Sequence, residues 1–160
     1  MIVADGVVYN ERGEQISRFK PGEVDKVDDP RGLIESICHD QVNSILRIFS
    51  KGGSVRSNHY HKTDWHICYV VSGTMWYYER PAGSLDKPDW KRVEAGEWVR
   101  TGPMMEHTTI FPVDTTILVF AGNPRDQDSY ESDMVRSHDL SALFFPRPFG
   151  DGSKAKSARK

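Results

Sequence analysis

Six histidines occur along the chain: His39, His59, His61, His66, His107 and His138. Four of them have a spacing that can do chemistry. His59 and His61 are two apart, and on a strand residues i and i+2 project from one face. Their imidazoles therefore leave the backbone together, about 7 Å apart along the strand. His66 opens the apolar run His66-Ile67-Cys68-Tyr69-Val70-Val71, and a reversal between Lys62 and Trp65 returns its ring to the first two. His107 follows a second Gly/Pro turn, Gly102-Pro103. Neutral imidazole is a borderline donor that suits Zn, Fe, Ni, Cu and Co. Three such ligands with open positions make a catalytic centre, and a fourth closes it toward a structural one. The same rings without an ion are acid and base groups. A metallated nitrogen cannot also take a proton, so the two uses are alternatives for His59 and His61. His39 and His138 lack comparable surroundings.

Gathering four rings needs a curved sheet, and the text between the histidines reads that way. Short runs rich in β-branched and aromatic residues predict strands near Val7–Asn10, Gln15–Arg18, Ser44–Ser50, His66–Ser72, Thr74–Glu79, Glu97–Thr101, Thr108–Pro112 and Thr115–Ala121. Glycine and proline, 13 and 9 in number, separate them. That pattern predicts an all-β chain, a small antiparallel barrel or jelly roll with a short C-terminal helical segment over Asp133–Phe144. His66–Ser72 and Thr74–Glu79 are expected to form a hairpin about Gly73. Arg80–Lys91 is expected to be a surface loop. Glu106, next to His107, is expected to face outward as a surface acid, and Cys68 to be a buried, inert thiol.

With 160 residues, 21 basic against 23 acidic side chains and a net charge of −2, the chain suits one domain over 1–150. Residues 151–160 read as a basic tail. The charge balance excludes a generally basic nucleic-acid binder. Four Trp, six Tyr and seven Phe are too many for a disordered chain. Apolar runs fall far short of the ~20 residues of a membrane helix. Met1-Ile2-Val3-Ala4-Asp5 reaches an acid at once, unlike a signal peptide. Two cysteines, Cys38 and Cys68, read as reduced thiols. The expectation is a cytoplasmic protein without membrane or nucleic-acid partners.

The histidines also carry a resemblance. Gly53, five residues, His59-Tyr60-His61, four residues, His66, six residues and Gly73 resemble the first motif of the cupin superfamily, with histidine at the place of its glutamate. Gly96 and His107 keep the separation of the second motif. There Gly102 and Met104 stand for its Pro and Gly, and Phe111 for its Asn. The resemblance spans about Ser44–Gly122. It implies a β-barrel with His59, His61 and His107 as ligands of a divalent transition metal (Zn, Fe, Ni or Mn), and His66 at the glutamate position. His66 is then a fourth ligand or a free acid or base. A homodimer joined through sheet edges is also implied.

Asp29-Pro30-Arg31-Gly32 and Arg56-Ser57-Asn58-His59 look like segments of cupins acting on nucleotide-linked keto-sugars, the dTDP-4-dehydrorhamnose 3,5-epimerases and 3,4-ketoisomerases. That likeness implies Arg31 on a diphosphate, with Tyr69 and Trp76 stacking on base or sugar. It makes His59, His61 and His66 candidate acid/base groups for proton transfer beside a ketone. The leading expectation is a metal-binding cupin that isomerises or epimerises a sugar or nucleotide sugar. A three-His dioxygenase and a non-catalytic ligand-binding cupin are the alternatives.

Overall fold

The structure, a computed structural model, describes residues 2–4, 7–9, 15–18 and 26–143. The chain divides into two compact units, Met1–Gln41 and Val42–Lys160. The first holds β1 (Ile2–Ala4), β2 (Val7–Tyr9) and β3 (Gln15–Arg18) in one antiparallel sheet. It also holds a two-stranded ribbon of β4 (Lys26–Asp29) and β5 (Gly32–Glu35). Pro30 and Arg31 form the ribbon's turn, and Gly32 takes φ +128°. Arg31 is exposed and forks onto Asp29, with Nη2 2.7 Å from Oδ2.

The second unit begins with β6 (Ser44–Ser50), β7 (Ser54–His61), β8 (His66–Ser72), β9 (Thr74–Pro81) and β10 (Asp89–Glu94). It continues with β11 (Trp98–Thr101), β12 (Met105–Phe111), β13 (Thr115–Ala121), α1 (Gln127–Asp133) and β14 (Met134–Arg136). A 3₁₀ turn at Leu140–Leu143 is the last described element. Two antiparallel sheets result, in the orders β10-β9-β12-β7-β14 and β11-β8-β13-β6. Alternation explains the facing. On β13, Thr115, Ile117, Val119 and Ala121 are buried, and the residues between them are not. The inward side chains form one cluster that includes Val70, Met75, Tyr77, Phe111 and Val119.

Three expectations change. First, β8 and β9 do not pair: β8 lies between β11 and β13, and β9 between β10 and β12. Gly73 does take φ +89°, but one residue is too short for the usual two-residue hairpin loop, so it turns the chain from one sheet to the other. Second, Arg80–Lys91 is not all loop, because β9 runs to Pro81 and β10 starts at Asp89. Third, the helix precedes the expected one. Asp126 caps it by accepting from Ser129 N at 3.0 Å. Met134–Arg136 instead pairs with His59–His61 as an edge strand. The expected tail at 151–160 lies outside the described residues.

Met104 stands where the cupin motif has glycine, and its φ is +60°. The turn is pinned by Met104 N donating to His61 O at 2.7 Å and by Ala82 N donating to Met104 O at 2.8 Å. Left-handed backbone costs a side-chain-bearing residue about 1–2 kcal/mol, and glycine loses part of that gain to unfolded-chain entropy. Met104→Gly is therefore expected to stabilise the protein by up to about 1 kcal/mol. Chemical denaturation checks this, and a lower midpoint for the variant refutes it.

Candidate metal and substrate site

The two sheets meet over the histidines. His59 and His61 leave β7 inward, and His107 on the neighbouring β12 is the direct register partner of His59. His66 comes from β8 in the opposite sheet. Ring centroids lie 4.8 Å apart for His59–His61 and for His59–His107. His66 lies 5.0 Å from His107 and 5.6 Å from His61. His59, His61 and His107 each offer a ligand atom within 4.8 Å of the other two. His66 stands against this trio without joining it.

The chain reversal between His61 and His66 is held by one carboxylate. Asp133 accepts from Thr63 N and Oγ1 at 2.9 and 2.7 Å, and from Asp64 N at 3.0 Å. Its Oδ2 is also 3.6 Å from His61 Nδ1, beyond hydrogen-bond length. On the other strand, His107 Nδ1 donates to Met105 O at 3.0 Å. That fixes its tautomer and leaves Nε2 as a lone pair.

A β-bulge sets which residues join the histidines. The β12–β7 register shifts between His107 and Thr108, and Ser57 and Asn58 have φ of +70° and +56°. Asparagine tolerates this region well, and Asn58 Oδ1 accepts from Thr108 Oγ1 at 2.8 Å. On a regular strand Arg56 and His59, three apart, would face opposite ways. The extra residue reverses the alternation, and both line one cavity of about 230 Å³. Arg56 is steadied at its edge by Nε donating to Ser50 Oγ at 2.8 Å. Leu46, Ile48, Phe111 and Val119 supply an apolar wall.

Burial dominates the electrostatics. His59 is pushed down to about 2, first by burial and then by His107 and His61. His61 falls to about 4, through burial and then the charge of Arg125. His107 also falls to about 4, mainly through burial, and burial holds His66 well below the ordinary range. All four rings are neutral near pH 7, as ligands must be. Both nitrogens of His61 and Nδ1 of His66 are buried without a hydrogen-bond partner. An unsatisfied buried polar atom is costly, and a metal ion would take up the lone pair of the neutral His61 ring. The residues fit the implied metal.

The shifts have a pH consequence for the metal-free protein. Below the ordinary histidine value of 6.5, the unfolded chain binds protons that the folded chain refuses, so stability falls with pH. It is fully present above about pH 6.5 and is lost as pH drops through about 4, the folded value of His61 and His107. Each unit of separation is worth about 1.4 kcal/mol per group. The thermal midpoint of chelator-treated protein is therefore expected to fall steadily between those limits. A flat profile there would contradict the buried neutral rings.

Other anticipated residues lie elsewhere. Tyr69 and Trp76 are not among the cavity's lining residues. Each is adjacent in sequence to an inward core residue, so each faces outward, and Trp76 stacks on Trp90 at 4.7 Å. Arg31 belongs to the first unit. Cys68 lines the cavity as a free thiol, pushed up to about 12 by burial. Glu106 is a correction: it is buried, 5 % exposed, because it pairs with Arg80 beneath the outer surface. Arg125, Tyr130 and Arg136 also line the cavity, and sequence reasoning misses all three. Arg125 sits in Gly122-Asn123-Pro124-Arg125-Asp126, which reads as an ordinary turn, so no local signal marks it.

No protein-family model matches the chain, and no curated protein matches it in sequence. Solved structures do. One is QdtA, a sugar 3,4-ketoisomerase from Thermoanaerobacterium thermosaccharolyticum in complex with TDP. It is 15 % identical, with 72 % of this chain and 85 % of that one covered and a TM-score of 0.57. A 3,4-ketoisomerase from Helicobacter canadensis matches at 16 % identity over 74 % and 90 % of the two chains, with a TM-score of 0.58. The capsular polysaccharide assembling protein CapF from Staphylococcus aureus matches at 20 % over 72 % of this chain and 34 % of its own, with a TM-score of 0.55. At these identities the likeness speaks for the fold alone: two antiparallel sheets closing over inward histidines have the fold of these ketoisomerases, the RmlC-like cupin fold.

Proposed function

We propose that the chain is a metal-dependent cupin enzyme that isomerises a small keto-sugar or a related polar carbonyl compound. The observation that carries this reading is the trio of buried, neutral imidazoles with ligand atoms within 4.8 Å of one another. The carbohydrate class is supported by the ketoisomerase structures of the same fold. His59, His61 and His107 hold the metal. When bound, a divalent ion in this donor set supplies Lewis acidity toward a carbonyl oxygen.

The chain's own groups do the remaining work. The apolar wall of Leu46, Ile48 and Phe111 excludes water from the reacting carbons. His66, outside the trio and neutral, lines the cavity. It takes a proton from the carbon beside the ketone and returns it on the far side of the resulting enediol. Tyr130, whose ring is 5.6 Å from that of His61 and 6.1 Å from that of His59, packs over the histidines and limits the opening.

The test uses untagged protein. Elemental analysis is expected to find about one transition-metal ion per chain. Incubation with keto-sugars in deuterated water is expected to exchange hydrogen at the carbon next to the ketone. His66→Ala should abolish that exchange while keeping the metal; metal-loaded protein that exchanges nothing, or a His66→Ala variant at full rate, sinks the isomerase reading. A second reading, a dioxygenase, is favoured by the burial that holds His66 well below the ordinary histidine range and so makes it a weak base near pH 7. Oxygen consumption by the Fe(II)-loaded protein separates the two.

A further inference from the structure

Residues 123–136 run as a strap beside the histidines. The strap brings Arg125, Tyr130, Met134 and Arg136 to the cavity lining, and Tyr130 lies against the rings of His59 and His61. At its centre α1 has seven residues and buries none of them. So short a helix is marginal in water, and a segment with few buried contacts opens more readily than a core strand. Side chains must therefore fasten it.

Two carboxylates do so, one from each side. Asp64, on the reversal between β7 and β8, accepts from Asn123 N at 2.8 Å, and its Oδ2 lies 2.8 Å from Arg125 Nη2. Asp133, at the end of α1, reaches back. Its Oδ1 accepts from Thr63 N and Oγ1, and its Oδ2 accepts from Asp64 N at 3.0 Å. Lys62 N also donates to Asp133 O at 2.9 Å. The strap and the reversal hold each other, and the reversal starts at His61, a member of the trio.

Asp133 faces both. Its Oδ2 lies 3.6 Å from Nδ1 of His61, a nitrogen buried without a hydrogen-bond partner. The two side chains are 12 % and 2 % exposed, so water does not compete freely for either. A neutral imidazole has one lone pair and one N–H. In the ring without an ion, either nitrogen can carry the hydrogen. With the lone pair of Nε2 given to an ion, the hydrogen is confined to Nδ1. A movement of about 0.5 Å then completes a charge-assisted hydrogen bond to Asp133.

We propose that Asp133 is a positioning residue that couples the histidine trio to the strap: filling the trio closes the strap over the cavity, and a closed strap tightens the hold on the ion. The two effects are one coupling free energy read from either end. This rests on the metal-site reading above and gives that site its regulation.

Hydrogen exchange of the full chain, chelator-treated and then saturated with zinc, tests it. α1 exchanges by local opening, which a bound ion slows only if the opening loosens the hold on that ion. Peptides over α1 are expected to exchange at least about 5-fold more slowly with zinc. Zinc-saturated Asp133→Asn should lose that slowing, and its zinc affinity should fall about 10-fold or more. Thr63→Ala removes one fastening bond but leaves Asp133 facing His61. Its α1 should exchange faster in both states, with the effect of zinc intact. Another measurement needs no variant: nitrogen NMR of the zinc-loaded wild type is expected to show His61 with its hydrogen on Nδ1. If zinc binds but α1 exchange is unchanged, the coupling is overturned and the metal reading stands. Full slowing in Asp133→Asn, or a hydrogen on Nε2 of His61, overturns the role of Asp133 in the same way. Wild-type protein that takes up no zinc overturns both.

Discussion

Replacing His61 with alanine is expected to leave the folded protein with less than about a tenth of the metal of the unaltered chain. Removing a mere supporting partner of a ligand already costs about 10–100-fold in metal affinity, and removing a ligand costs more. His61 is the most informative position because nothing else in the fold needs its nitrogens. The ring is 1 % exposed, both nitrogens lack hydrogen-bond partners, and Asp133 stays at 3.6 Å. His61→Leu is the companion variant. It fills the same space without polar atoms, so it should fold at least as stably as the metal-free protein while binding no more metal than the alanine form. His59→Ala should behave like His61→Ala, and His39→Ala, which changes a residue outside the cavity, should keep its full complement. Elemental analysis after dialysis against a weak chelator decides it. Undiminished metal in both His59→Ala and His61→Ala would falsify ligation by this trio.

Gly73→Ala should be the most damaging single-methyl change in the fold. Gly73 carries φ +89°, and an added Cβ would meet Asp114 O at 2.5 Å and Thr115 Cα at 2.8 Å. Both obstacles are backbone, so no side-chain rotation relieves them. Left-handed strain of about 1–2 kcal/mol adds to overpacking of about 1–3 kcal/mol. A total near 3 kcal/mol lowers the thermal midpoint by about 10 °C for a chain of this size. The displaced contacts include Thr74 N donating to Thr115 Oγ1 at 3.1 Å. Gly53 offers the contrast: its φ is +87°, but no atom lies within 4 Å of the place its methyl would take, so Gly53→Ala carries the backbone cost alone. Equal losses for the two variants would show that the close approach at Gly73 does not matter.

The histidine site is legible in the chain because its signal is local. His59-Tyr60-His61 fixes a shared face through strand alternation, and the glycines around it mark turns. β6, β8 and β13 have the bounds that the sequence predicts, since each is rich in β-branched, aliphatic and aromatic residues and has no glycine or proline inside it. β7, which carries two of the three trio residues, is not predicted, because Ser54-Val55-Arg56-Ser57-Asn58 is polar and its bulge has no glycine to announce it. The partners of β8 and β9 escape for a different reason. A glycine with positive φ states that the chain bends, but not whether the next strand folds back or crosses over. Arg125 is invisible because its meaning is tertiary: only Asp64, about sixty residues earlier in the chain, turns a loop arginine into a fixed, buried cation. Met134–Arg136 likewise becomes a strand only beside His59–His61.

The crossing at Gly73 also governs how fast this chain can reach its native state. With β8 and β9 assigned to separate sheets, β6 must find β13 by joining Ser50 to Thr115, and β7 must find β12 by joining Ser54 to Phe111. Apart from the β9–β10 ribbon, little of the barrel can zip up from neighbouring residues. Such distant closures spend chain entropy before contacts repay it, which places this topology among slow folders on the millisecond-to-second scale. The histidine trio spans the same closure, since His59 meets His107 only after β7 has docked on β12. Its assembly therefore reports a late event, and the first meeting of these rings is a clock for completion of the barrel.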